Sequence, residues 1–83
     1  MKISKRLKAA LEVLNHSMPV KISGIEKDHD RLLLRSYRLR ASRLKGSSVF
    51  VGRLTPSAII ELKSLLGEEV EIDFEPAVPR SQH

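Results

Sequence analysis

Residues 31–45 read RLLLRSYRLRASRLK, and the fold turns on whether this stretch is a strand or a helix. In a strand, Leu33, Tyr37, Leu39 and Ala41 share a face with Arg35, while Leu32, Leu34, Ser36, Arg38 and Arg40 share the other. That alternation is impure and requires a bulge. In a helix, Leu34, Tyr37, Ala41 and Leu44 form an apolar stripe, Asp30 is an N-cap and Gly46 lies past the C-terminus. The helix also lines up Arg31, Arg35, Arg38 and Ser42. A strand from Arg31 to about Arg40 is the reading adopted, with the helix kept as the alternative. A strand and a short turn precede it, so a hairpin is the shortest continuation.

That preceding strand is residues 19–25, with Val20 and Ile22 on one face and Lys21 and Ser23 on the other. Gly24 points to a bulge or a close backbone approach. Residues 26–30 read as a polar turn with His29 at its tip. Further upstream, Ser4 caps a helix whose apolar stripe is Leu7, Ala10, Leu11 and Leu14. Lys8 and Glu12 stand one turn apart on it. Pro19 limits how far it can run. Lys5, Arg6 and Lys8 occupy its first turns, where the helix dipole disfavours positive charge. An anion nearby, or plain solvation, would account for them.

Downstream, residues 47–54 read as a strand with Val49 and Val51 opposed to Phe50. Thr55 then caps a helix with Pro56 at its first position. Its apolar face is Ala58, Ile59, Leu62, Leu65 and Leu66, and Gly67 ends it. Residues 68–75 alternate cleanly: Val70, Ile72 and Phe74 against Glu69, Glu71, Asp73 and Glu75. The expected fold is therefore α+β in the order α-β-β-β-α-β. An antiparallel sheet carries two amphipathic helices on one face. One compact domain spans residues 1–76, and residues 77–83 form a flexible tail.

The 83 residues carry 15 Lys and Arg against 10 Asp and Glu, a net charge of +5, and no cysteine. The charge is segregated. Residues 1–53 hold thirteen basic and four acidic side chains, and residues 54–83 hold two and six. Between Arg31 and Arg53 there are seven cations and no acid. A block of this kind is the footprint of a polyanion-binding surface. The two oppositely charged parts facing each other is an equally simple alternative. Without cysteine there is no disulfide, thiolate metal site or thiol nucleophile, which favours a cytoplasmic location. No apolar run reaches the ~20 residues of a membrane span, and no signal peptide is evident.

The candidate nucleic-acid-binding residues are Lys5, Arg6, Lys8, Arg31, Arg35, Tyr37, Arg38, Arg40 and Arg43. Arginine suits phosphate because its planar fork donates two hydrogen bonds together. Tyr37 could stack on a base, but with only Tyr37, Phe50 and Phe74 as aromatics, contact with the phosphate backbone or a duplex fits better. No nucleophile–base pair, metal-ligand spacing or phosphate-cradling glycine loop is present, so no catalytic residue, metal or cofactor is expected. His16, His29 and His83 share no ligand spacing. The expected function is that of a non-enzymatic nucleic-acid-binding accessory protein, for DNA or RNA. The alternative is a protein-interaction adaptor or inhibitor docking through the acidic strand or a sheet edge. Pairing of edge strands between two copies would also enlarge a thin core. Gly52-Arg53-Leu54, Pro56, Ile59, Leu62 and Glu69-Val70-Glu71-Ile72 resemble in outline the swapped-hairpin AbrB-type DNA-binding pattern, from which they differ in helix-to-strand spacing. No membership follows from it.

Overall fold

The computed structural model describes residues 1–43 and 46–75, with side chains at 46 and 47 left aside. The order is β1 (Lys2–Ile3), α1 (Lys5–Val13), β2 (Met18–Ser23), α2 (Asp28–Ser36), β3 (Arg40–Ser42), β4 (Gly46–Leu54), α3 (Pro56–Leu65) and β5 (Glu71–Phe74). The chain is thus α+β, but its order is β-α-β-α-β-β-α-β. The strands form one sheet ordered β1-β5-β2-β4-β3. Four neighbouring pairs meet in this sheet; β1 with β5 is parallel and the other three are antiparallel.

Strand register sorts the side chains into two faces. Ile22 lies beside Phe50 on one neighbour and Ile72 on the other, and Ile3 beside Ile72. Met18 and Val20 continue this face with Leu54 and Phe74. These residues share one core cluster with Leu7 of α1, Leu34 of α2 and Ile59 and Leu62 of α3. All three helices therefore cover the same face, giving two layers. The opposite face carries Lys2, Lys21, Ser23, Arg40, Val51, Arg53, Glu71 and Asp73 by register and is not covered by a helix.

The stretch from Arg31 is a helix, contrary to the strand reading. Asp28 and Asp30 lie in the first turn of α2 and favour its dipole, so residues taken as a turn are a helix start. The N-cap is Lys27 rather than Asp30. The hairpin expectation fails because β2 pairs with β4 and β5, both distant in sequence. Nor does the helix run on toward Gly46. It stops at Ser36, with Tyr37 as its C-cap and Arg38 in the left-handed region at φ 67°. The Arg38 N–H donates to the Arg35 carbonyl and the Leu39 N–H to the Leu34 carbonyl, at 2.9 and 3.1 Å. This is a Schellman closure, and its usual apolar contact is supplied by buried Leu34 and Leu39. An arginine stands where glycine is the common solution.

β1 was not expected, since two residues carry no periodicity. The Lys2 N–H donates to the Val70 carbonyl and the Ser4 N–H to the Ile72 carbonyl. β5 consequently lies inside the sheet, between β1 and β2, and the edges are β1 and β3. An acidic strand available for docking along its own edge is not what these residues build.

α1, β4 and α3 match their sequence signals, whereas the strand expected over 68–75 is confined to Glu71–Phe74, with Glu68 and Glu69 in a turn, and that expected over 19–25 ends at Ser23. Ser4 Oγ accepts from the Leu7 N–H and Thr55 Oγ1 from the Ala58 N–H, both as N-caps. Leu65, expected on the apolar face of α3, is instead more than half exposed. Gly24 has φ 85°, and a Cβ there would lie 2.5 Å from the Glu69 carbonyl oxygen. The close approach expected of it is real. Leu44, Lys45 and the tail at 77–83 lie outside the described residues.

Candidate nucleic-acid interface

The three cations at the start of α1 and the arginines after residue 31 do not form one patch. α1 follows β1 at one edge of the sheet, whereas Arg40 and Arg43 lie at β3 on the other. Four strand spacings separate these edges, roughly 19 Å.

At the α1 edge, the anion suggested by the misplaced cations is supplied by the chain itself. Arg6 grips Asp73 with two hydrogen bonds, Nε to Oδ1 at 2.9 Å and Nη2 to Oδ2 at 3.0 Å. Ser4 Oγ donates to the same Oδ1 at 2.6 Å, and the Phe74 N–H adds a fourth bond at 2.7 Å. Ser4 thus caps α1 and links its start to β5. The carboxylate stands beside the helix N-terminus, where negative charge is favoured. The Arg6 and Ser4 hydrogen bonds hold the Asp73 carboxyl well below the usual carboxylate range. Asp73 in turn raises the pKa of the Arg6 guanidinium. Arg6 is already occupied by an internal anion, while Lys5 and Lys8 are exposed neighbours.

At the other edge, the candidates divide again. Arg31 is partly buried and its Nη1 pairs with Asp28 Oδ1 at 2.9 Å, one turn earlier. Its Nε is buried without a hydrogen-bond partner among the described residues. Tyr37 packs against the core, and its hydroxyl donates to Glu61 Oε1 of α3 at 2.7 Å. That bond raises the phenol's pKa. Phe50 is fully buried and Phe74 packs against the same core. All three aromatic rings are therefore engaged by the fold.

Arg35, Arg38, Arg40 and Arg43 are exposed, and none has an ion-pair partner among the described residues. They occupy the last turn of α2, its left-handed closure, β3 and the turn after it. Arg40 also opens onto the uncovered sheet face. There it continues a cross-strand row through Val51 and Lys21 to Asp73. Lys2, Lys21 and Arg53 on this face were not among the sequence candidates. The alternation in β2 could have placed Lys21 opposite the core, but its neighbours require the strand order. Arg53 is partly tied down, donating from Nη2 to the Ser17 carbonyl at 3.0 Å.

Among the described residues no group of three or more His, Cys, Asp or Glu is placed to hold a metal ion. No helix among the described residues is long and apolar enough to cross a membrane. Comparison with protein-family models, with curated proteins and with solved structures finds no match.

Proposed function

We propose that this chain is a non-enzymatic nucleic-acid-binding accessory protein. It would contact phosphates through the arginine corner of Arg35, Arg38, Arg40 and Arg43. The observation that carries this reading is that four arginines within nine residues stand exposed with no internal counter-charge among the described residues. The conformation of Arg38 supports it. A left-handed backbone costs an L-residue roughly 1–2 kcal/mol, and glycine would avoid that strain. A strained position held by a cation favours a role for the cation. Each guanidinium would replace condensed counterions on the backbone, so binding gains from ion release and weakens with salt. With every aromatic ring engaged by the fold, the reading favours backbone contact over base stacking. Lys5 and Lys8 would serve only a ligand long enough to span the sheet.

Fluorescence anisotropy with labelled duplex DNA, single-stranded DNA and RNA at physiological salt tests this. Saturable binding with duplex at least equal to single strands is expected. Absence of binding to all three would overturn the proposal.

A second reading, docking on a protein partner, draws on Val13, Leu32, Ile60 and Leu65, large apolar side chains more than half exposed on the helical layer. Singly scattered exposed apolar residues are common, so this reading has the weaker support.

A further inference from the structure

We draw no further inference here: the strongest candidate, the uncovered sheet surface of β2, β3 and β4 on which Lys21 and Arg40 flank Val51, carries nothing because Lys21 also lies beside Asp73, Arg40 belongs to the arginine corner already described, and nothing in the structure shows what covers the rest.

Discussion

At Arg38 the demands of the backbone and of the proposed ligand oppose each other. The closure of α2 needs a left-handed residue there, and only the side chain gives a reason for arginine. Arg38→Gly should therefore raise stability by about 0.5–1 kcal/mol, the relieved strain outweighing glycine's added chain entropy. Urea denaturation measures it; a clear loss of stability would show that the guanidinium contributes to the fold. Asp73 is the opposite case, a charged residue whose value is structural. Asp73→Ala removes the acceptor of both Arg6 and Ser4 and should cost about 1–2 kcal/mol at pH 7. The folded-state carboxyl titrates below its unfolded value, so its contribution is complete above the ordinary Asp pKa of about 4. It is lost as pH falls through the lower, folded value. The gap in urea midpoint between wild type and variant should thus be constant near neutrality and narrow below about pH 4. A gap that persisted unchanged in acid would contradict the assigned bonds. The odd cations at the start of α1 were legible in the sequence, with a nearby anion as one of two explanations for them. That the anion is Asp73, 67 positions from Arg6, depends on a parallel pairing no local pattern records.

Among the elements, those with both a stop signal and a clean period were readable. α1 has Ser4 and its stripe, α3 has Thr55-Pro56, and β5 keeps its strict alternation. α2 was misread for three physical reasons. Its helix start lies among aspartates that also suit turns. Its apolar run is too short to separate the two periods. Its end is closed by an arginine where glycine would have marked it. The Gly24 signal, in contrast, was specific, and it ties the end of β2 to the turn before β5. Gly24→Ala would combine a disfavoured φ with a Cβ 2.5 Å from the Glu69 carbonyl oxygen. A loss of roughly 2 kcal/mol or more is expected in thermal or urea melts. Wild-type stability in this variant would mean that the β2–β5 approach is slack.

Across the whole molecule, the uneven charge is resolved into separate sites rather than one. One basic residue pairs with β5, and four arginines occupy the corner at β3. The sequence showed the arginine block but could not show that Arg31 and Tyr37 are engaged by the fold while their neighbours remain exposed. The central claim is that this corner contacts phosphate, and the salt dependence of duplex binding tests it most directly. For wild type, the slope of log affinity against log salt should be about −3 to −4, as expected when four phosphate charges are neutralised. Arg38→Gly/Arg40→Ala should reduce that slope by about two while the protein stays folded. A variant that bound duplex with the wild-type affinity and slope would show that the arginine corner is not the contact surface.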